Sequence, residues 1–494
     1  MRSSLVLTLL FASATCIAGQ ATTPDLPDIG TPADATIARS DEYRIGAMLM
    51  RQLRDENQIL EDPELDEYLQ AVGSRISAQA PDGSGRFTFF VVRDLGINAF
   101  ALPGGFIGVN HGLILATRNE SELASVLAHE IAHVTQRHIA RTVRAQGRQS
   151  LATMAAVLAA ILVGAATGGG GDAAMGAIAI AQGAAAQQQI NFTRANEYEA
   201  DRVGIGYLAA AGFEPRAMPD FFDTMGRRTG LASSQVPEFL QTHPVSSNRM
   251  AESRSRASQY PRKTVGDSTS YRLARARLRV LATPREAAPA DARAAAQPDG
   301  TETPLEARYA LALRLMAQDQ PAQAAEILAG LLEQNEGLIW LHTALGQAQL
   351  AAKFDNDALA TYQHAIGLFP RNVPLSLRYA EALMAAGRAK DAHALLLDLF
   401  NNVPPTPPQI RLTALAASAA GDTGDAYHYM SEYHIATGDL PLAAQQLELA
   451  LAAPNLTPVQ RERFRARLTE VREYLLSDRS KRRRQATEGE QPTR

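Results

Sequence analysis

The chain has 494 residues, of which 46% are hydrophobic and 20% charged, and its formal net charge is −4. This length is enough for two to four domains, and the composition excludes collagen, a chain that is disordered throughout and a polytopic membrane protein. The near-neutral charge gives no electrostatic argument for nucleic-acid binding. Because Cys16 is the one cysteine, a disulfide framework and a cysteine-built zinc site are excluded, and any metal ligands must be histidines and carboxylates.

The N-terminal segment has the pattern of an export signal. Arg2 precedes an apolar run over Leu5–Ala14, and small residues follow. We therefore predict that residues 1–21 are a signal peptide, with the exact cleavage position open. Residues 22–39, rich in Pro, Asp and Thr, are predicted to form a disordered leader. A lipoprotein acylated at Cys16 is the weaker alternative, because Ser13 stands where such a site usually has leucine.

Residues 40–281 mix helical and strand patterns, which predicts a mostly helical α+β domain with a small sheet. Helical periods over Glu42–Gln58 and Pro63–Ala78 precede a short strand at Arg86–Val92. A second β-like stretch runs over Ala99–Asn110, and Pro103-Gly104-Gly105 predicts a turn inside it.

Residues 151–186 form an alanine-rich segment whose role the sequence leaves open. As a helix, Leu151–Ala166 would be about 24 Å long, less than the ~30 Å hydrocarbon core of a membrane. Gly168–Gly171 then interrupts the pattern. Packing against the core, a lid over the cleft and a shallow peripheral membrane contact are the alternatives.

Residues 282–304 have the composition of a linker, and residues 305–476 are predicted to be an all-α tetratricopeptide-repeat solenoid. Ala324, Ala358 and Ala392 recur at a spacing of 34 residues, the period of this repeat. Ala443 lies 51 residues after Ala392, so we predict that an extra helix over Gln409–Ala420 fills the offset. Such an array presents a concave surface to a partner. The basic residues 477–494 are predicted to be a disordered, solvated tail.

The chemistry-bearing motif is His129-Glu130-Ile131-Ala132-His133, in a stretch that we predict to be one amphipathic helix over Ser121–Arg141. Histidines at i and i+4 lie on one face, one turn apart, which suits the chelation of one Zn²⁺. Glu130 stands beside these ligands and can accept a proton from the attacking water without occupying a coordination position.

A second helical stretch, Asn196–Asp201, supplies the carboxylates that a catalytic zinc site needs. Glu197 and Asp201 are also at i and i+4. Glu197 can be the third ligand, and Asp201 can accept the N–H of a ligating histidine. Glu199 lies on a different face and is predicted to be solvated.

HExxH followed by ExxAD resembles the gluzincin peptidase family that includes HtpX and the CaaX prenyl proteases. With a signal peptide and C-terminal tetratricopeptide repeats, the chain is similar to the BepA-like periplasmic zinc metalloproteases of Gram-negative outer-membrane assembly. The resemblance implies a zincin-type fold, one Zn²⁺ per chain on His129, His133 and Glu197, and Glu130 as the base. It also implies a periplasmic location, and outer-membrane β-barrel proteins and their assembly machinery as partners.

The same resemblance points to further segments. Asn98–Val109 resembles an edge strand beside the metal that could pair with an extended substrate. His243 lies in a segment that approaches zinc in this family, where it either blocks the fourth coordination position or hydrogen-bonds the oxyanion. Arg249 is a further active-site candidate in that segment. His111 and His138 have no partner at a useful spacing and are predicted to be structural.

Two functions from different classes follow. The first is an exported zinc endopeptidase that hydrolyses misfolded or stalled envelope proteins, with the repeats recruiting clients. The alternative is a non-proteolytic chaperone or scaffold for β-barrel assembly with a structural zinc site. Glu130 favours the first, because a structural site has no use for a base. Substrate identity and oligomeric state stay open.

Overall fold

The computed structural model describes residues 38–81, 86–145, 183–231, 238–283 and 304–489. The predictions for the signal peptide, for nearly all of the leader, and for most of residues 151–186 and 282–304 lie outside these ranges. Within them, no helix combines the length and apolar composition that a membrane span requires.

The N-terminal half is a mostly helical domain built around a small sheet, which confirms the predicted fold class. Its helices are α1 (Arg39–Asp55), α2 (Pro63–Ser77), α3 (His111–Ala116), α4 (Glu120–Thr135), α5 (His138–Ala145), α6 (Gly183–Ala210), α7 (Ala217–Leu231), α8 (Glu238–Thr242), α9 (Ser247–Ser258) and α10 (Thr269–Ala282). Its strands are β1 (Thr88–Val92), β2 (Ala99–Leu102) and β3 (Phe106–Asn110).

The sheet has the strand order β1-β3-β2, so β2 lies at an edge of the three described strands. β2 and β3 form an antiparallel pair, and β1 runs parallel to β3. The predicted turn between β2 and β3 contains Gly104 at φ 80° and Gly105 at φ 85°. Both values are in the left-handed region that favours glycine. A Cβ on Gly105 would also lie 2.4 Å from the Arg86 carbonyl oxygen.

The predicted single helix over Ser121–Arg141 is wrong, because the chain breaks between α4 and α5. α4 ends at Thr135, and Arg137 adopts a left-handed φ of 52°. A tertiary contact holds this conformation: the Arg137 guanidinium lies 3.0 Å from the Glu42 carboxylate on α1. Helical periodicity carries no information about such a contact. The break redirects α5 and brings His138 back towards His133.

The C-terminal half consists of five consecutive helix pairs. They are α11 (Pro304–Ala317) with α12 (Pro321–Leu332), α13 (Ile339–Ala351) with α14 (Asp355–Leu368), α15 (Val373–Ala385) with α16 (Ala389–Asn402), α17 (Pro407–Ala419) with α18 (Thr423–Ala436), and α19 (Leu440–Ala452) with α20 (Pro458–Gly489). Gly346 on α13 faces the Tyr362 ring on α14, where a Cβ would lie 2.3 Å from a ring carbon. The small residue therefore allows the two helices of this pair to pack closely.

Two predictions for this half need correction. The segment Gln409–Ala420 is not an extra helix: it lies in α17, the first helix of the fourth pair. The period of 34 continues through Ala426 on α18, and Ala443 lies on the first helix of the fifth pair. In addition, α20 continues to Gly489 where a disordered tail was expected, consistent with the high helix propensity of the Arg, Lys, Gln and Ala residues there.

The repeats pack directly against the first domain. The largest hydrophobic core continues from Leu60 in the first domain to Ala348 in the second helix pair. Farther along, the buried Glu64 carboxylate on α2 lies 3.0 Å from the Arg378 guanidinium on α15. Arg277 on α10 lies 3.4 Å from Glu64. Burial alone would raise the pKa of Glu64, but these two arginines lower it to about 2.

Candidate metal centre

The two motif helices cross closely, and a glycine makes this possible. On α6, a Cβ at Gly204 would lie 3.0 Å from the Ala128 carbonyl oxygen on α4. With only hydrogen at this position, α6 approaches α4 one residue before His129. Glu197, about two turns earlier on α6, is thereby brought level with the histidine pair. Both helices are buried here, and His129 and Glu130 are each 1% exposed.

The three predicted ligands meet at one point. Nε2 of His129 and Nε2 of His133 are 3.0 Å apart. The Glu197 carboxylate lies 3.4 Å from Nε2 of His129 and 3.3 Å from Nε2 of His133. His243, directly after the end of α8, places Nδ1 3.3 Å from Nε2 of His129 and 3.1 Å from both Glu197 oxygens. Three nitrogens and a carboxylate thus converge from three elements.

This donor set fits a tetrahedral metal ion. A zinc ion with ligand distances of about 2.0–2.1 Å separates its ligand atoms by roughly 3.3–3.4 Å, and the separations given above lie between 3.0 and 3.4 Å. Imidazole nitrogens with a carboxylate are typical ligands of a catalytic zinc. His129, His133 and Glu197 would hold the ion, and His243 stands at the fourth position.

Asp201 and Arg249 contact His129 and Glu197 and fix the orientation of these two side chains. Asp201 Oδ1 lies 2.9 Å from Nδ1 of His129, which leaves Nε2 of His129 directed at the donor set. Arg249 is 1% exposed and binds Asp201 with two nitrogens, at 2.5 and 2.8 Å. A third nitrogen of Arg249 lies 2.8 Å from Glu197. The Ser246 hydroxyl accepts the Arg249 N–H at the start of α9, which sets this side chain in the first turn.

Burial and charge pairing together set the pKa values of these groups. Burial alone would lower the pKa of His129, but the Asp201 and Glu197 carboxylates raise it to about 9. Burial lowers the pKa of His133 to about 3. Burial would raise the pKa of Asp201, yet Arg249 holds it below its usual value. The pKa of Glu197 is likewise held well below its usual range, despite burial, by the histidines around it.

Sequence reasoning missed the groups behind His133. Nδ1 of His138 lies 2.9 Å from Nδ1 of His133, and Nε2 of His138 lies 3.3 Å from the Glu199 carboxylate. Arg141 donates a hydrogen bond to Glu199 at 2.7 Å. The prediction that His138 has no partner at a useful spacing is therefore wrong, and Glu199, which was predicted to be solvated, is partly buried and pairs with both His138 and Arg141. The break after α4 and the crossing of α6 bring these side chains together, and no local pattern contains either.

Glu130 and His243 lie close to each other beside the donor set. Nε2 of His243 lies 3.5 Å from Oε1 of Glu130. Within the described chain, this oxygen is buried and makes no hydrogen bond. Burial raises the pKa of Glu130 above its usual value, although His243 and His129 oppose the effect. A buried, more basic carboxylate beside a metal centre, with one oxygen free of hydrogen bonds, is suited to accept a proton. His111 lies elsewhere, with Nδ1 3.1 Å from the Val92 carbonyl oxygen.

Two histidines one turn apart, a glutamate on a crossing helix and an adjacent buried carboxylate define the chain as a metallopeptidase. Consistent with this, residues 62–257 match the profile of Peptidase family M48, and residues 356–417 match a tetratricopeptide-repeat profile.

Similar proteins extend this match over the whole chain. The beta-barrel assembly-enhancing protease of Yersinia pestis is 34% identical over 474 residues, which cover 95% of this chain and 96% of that protein. The protein of the same name from Escherichia coli is 32% identical over 480 residues, with 96% and 97% covered. A putative beta-barrel assembly-enhancing protease of Vibrio cholerae is 46% identical over 254 residues, about half of each chain. The chain belongs to the family of beta-barrel assembly-enhancing proteases.

Proposed function

We propose that this chain is an exported, periplasmic zinc endopeptidase that hydrolyses misfolded or stalled envelope proteins during the assembly and quality control of outer-membrane β-barrel proteins. One observation supports the catalytic part most directly: Glu130 is buried beside the candidate metal ligands, and its Oε1 atom makes no hydrogen bond within the described chain. The names of the full-length relatives support the client class. One Zn²⁺ per chain would be held by His129, His133 and Glu197.

The residues of the site would have different roles in the reaction. Bound at the donor set, zinc would polarise the scissile carbonyl and lower the pKa of a water molecule. Glu130 accepts the proton of the attacking water and delivers it to the leaving amine. Asp201 and Arg249 keep His129 and Glu197 in place, so Arg249 acts as a positioning residue. The mechanism needs no nucleophilic side chain and no covalent intermediate.

Strand β2 is proposed to align the substrate. It lies at an edge of the described sheet, antiparallel to β3. An extended client segment can add to such an edge through main-chain hydrogen bonds, which hold a peptide without selecting its sequence. This mode suits a protease whose clients share an unfolded state rather than a common sequence.

His243 is proposed to keep the resting enzyme latent. Its Nδ1 atom lies with the metal ligands, where it would exclude water from the fourth position. Activity would then require the segment around His243 to move away, in response to a client docked on the repeats. The alternative is that His243 donates a hydrogen bond to the oxyanion. Removal of the imidazole has opposite effects on the rate of cleavage in the two cases.

A scaffold with a structural metal site is the competing function. The repeats support a scaffolding contribution, because such arrays present extended binding surfaces. Glu130 opposes a purely structural site, since a buried carboxylate oxygen without a hydrogen bond is costly and serves no purpose in metal retention. We propose that both roles coexist: the repeats hold clients, and the protease acts on those that fail to assemble.

The direct test uses the purified full-length chain and an unfolded outer-membrane β-barrel protein. Wild type and His243→Ala are incubated with this substrate before and after removal of metal by a chelator, and again after addition of Zn²⁺. We expect cleavage that chelation stops and zinc restores, while a folded soluble protein of similar size stays intact. Absence of cleavage by both zinc-loaded proteins would contradict the proposed activity and favour the scaffold.

A further inference from the structure

A second group of ligand-type side chains lies in the repeats, far along the chain from the catalytic motifs. This repeat cluster consists of His393 on α16 and of Asp422 and Asp425 at the start of α18. One ligand atom from each lies within 4.8 Å of the others. We propose that the repeat cluster binds a divalent transition-metal cation such as Zn²⁺, independently of the catalytic centre.

His393 carries the proposal. The residue is 8% exposed, and its Nε2 atom is buried and makes no hydrogen bond within the described chain. The Asp425 Oδ2 atom lies 3.8 Å away, too far for a hydrogen bond. A buried polar nitrogen without a partner is costly. A cation between these two atoms would bind both, with their 3.8 Å separation shortening to the roughly 3.3–3.4 Å between two ligands of one tetrahedral zinc ion.

The last helix orients the two carboxylates. Asp422 Oδ1 accepts the Asp425 N–H at 2.9 Å and so caps α18. The Gln460 amide donates to Asp422 at 3.3 and 3.1 Å and to Asp425 Oδ1 at 3.3 Å. The Arg463 guanidinium also contacts Asp425 Oδ1. These contacts hold the Asp425 carboxylate so that Oδ2 is the oxygen paired with His393, as neighbouring groups do for ligands in metal sites.

The donor set selects the class of cation. Imidazole favours zinc and other transition metals, whereas Mg²⁺ and Ca²⁺ prefer sites made entirely of oxygen. Burial also lowers the pKa of His393, which keeps the imidazole neutral and able to bind a metal at neutral pH. The positive charge of Arg463 opposes a cation, so we expect weaker binding here than at the catalytic centre. The bound ion would cross-link the third and fourth helix pairs and stiffen the repeat array.

The test measures zinc on a full-length background that lacks the catalytic site, His129→Ala with His133→Ala. After dialysis against Zn²⁺ and removal of free metal, we expect one zinc per chain on this background. His393→Ala should abolish it. His364→Ala is the matched control, because His364 is an exposed histidine in the same repeats. Asp422→Asn is a second probe, since asparagine preserves the helix cap but removes a charged ligand.

Each outcome of this experiment either supports or overturns the proposed site. Zinc that is retained in His364→Ala and lost in His393→Ala, with binding weakened at least about tenfold in Asp422→Asn, supports the site. Zinc that persists in both His393→Ala and Asp422→Asn overturns it, as does a background protein that binds none. Circular dichroism shows whether each variant keeps its helices. If His393→Ala fails to fold, Asp422→Asn decides: unchanged zinc binding in this variant overturns the proposal.

Discussion

Replacing His138 tests how strongly the groups behind His133 control metal binding. For His133 to bind a metal through Nε2, its proton must lie on Nδ1, and His138 Nδ1 is 2.9 Å away to accept it. His138→Leu removes this acceptor and leaves a buried N–H unpaired. Loss of such a partner typically weakens metal binding by about 10–100-fold, which corresponds to roughly 1.4–2.7 kcal/mol. We expect a decrease of this size.

The assay is chelator competition for zinc on a Glu130→Gln background, which prevents self-cleavage. His138→Asn is the informative partner variant, because its side-chain oxygen can occupy the position of Nδ1 and accept the same hydrogen bond; we expect it to restore most of the affinity. His111→Leu controls for the loss of a buried histidine outside the centre. The reasoning is refuted if His138→Leu binds zinc as tightly as the background, or if His138→Asn binds as weakly as His138→Leu.

Three further predictions concern latency, docking and recruitment. His243→Ala should raise basal proteolysis, including self-cleavage, if the imidazole blocks the fourth position; a lower rate with zinc retained would identify an oxyanion donor instead. Arg378→Met should destabilise the docking of the repeats, by less than the ~3–5 kcal/mol that breaking a buried pair costs, because Arg277 still pairs with Glu64. A chain truncated after residue 370 keeps the first two helix pairs, of which α11, α12 and α13 share the protease core, and should capture fewer unfolded clients when Glu130→Gln is used as a substrate trap.

The docking prediction has a defined pH dependence. The folded-state pKa of Glu64 is about 2, below its usual value of 4.5. The stability that Glu64 contributes is therefore fully present above about pH 4.5 and is lost as the pH falls towards 2. Arg378→Met raises this folded-state pKa, so the free energy of unfolding should depend less on pH in that window. An unchanged pH profile would contradict the assignment, and Arg371→Met, at an exposed ion pair, is the control.

Latency and recruitment need their own controls. Zinc content must be measured for His243→Ala, because a rate change that accompanies metal loss tests neither role. For the truncated chain, retention of zinc shows that the protease domain is folded. Client capture equal to that of the full-length trap would mean that helix pairs three to five do not recruit clients.

The candidate residues of the metal centre could be predicted from the sequence because the spacing within each pair is local. His129 with His133, and Glu197 with Asp201, are each one helical turn apart, so helix geometry alone places each pair on one face. His138 could not be assigned in this way, since its position depends on the left-handed Arg137 and on the contact of Arg137 with α1. Helical periodicity continues past that residue and predicts an unbroken helix.

The contacts of Arg249 could not be predicted from the sequence for a different reason. The sequence predicts Arg249 as an active-site candidate, but its burial against Asp201 and Glu197 depends on how α9 packs on α6. In the repeats, the 34-residue period runs through one alanine in the second helix of each of the first three helix pairs. The same period continues through Ala426, but Ala443, half a repeat later, suggests another copy and so predicts an extra helix instead. Because both helices of a pair carry small residues, a position half a repeat later is easily mistaken for the next copy of the repeat.

The central claim is that Glu130 is the base of a zinc endopeptidase, and one comparison tests it most directly. Wild type and Glu130→Gln are assayed on the same unfolded β-barrel substrate, and zinc content is measured in the same samples. Glu130 is not among the ligands, so zinc content should be unchanged. The rate of peptide-bond cleavage should fall at least about 100-fold, as expected for loss of a general base. Cleavage within a few-fold of wild type, with zinc still bound, would contradict the account.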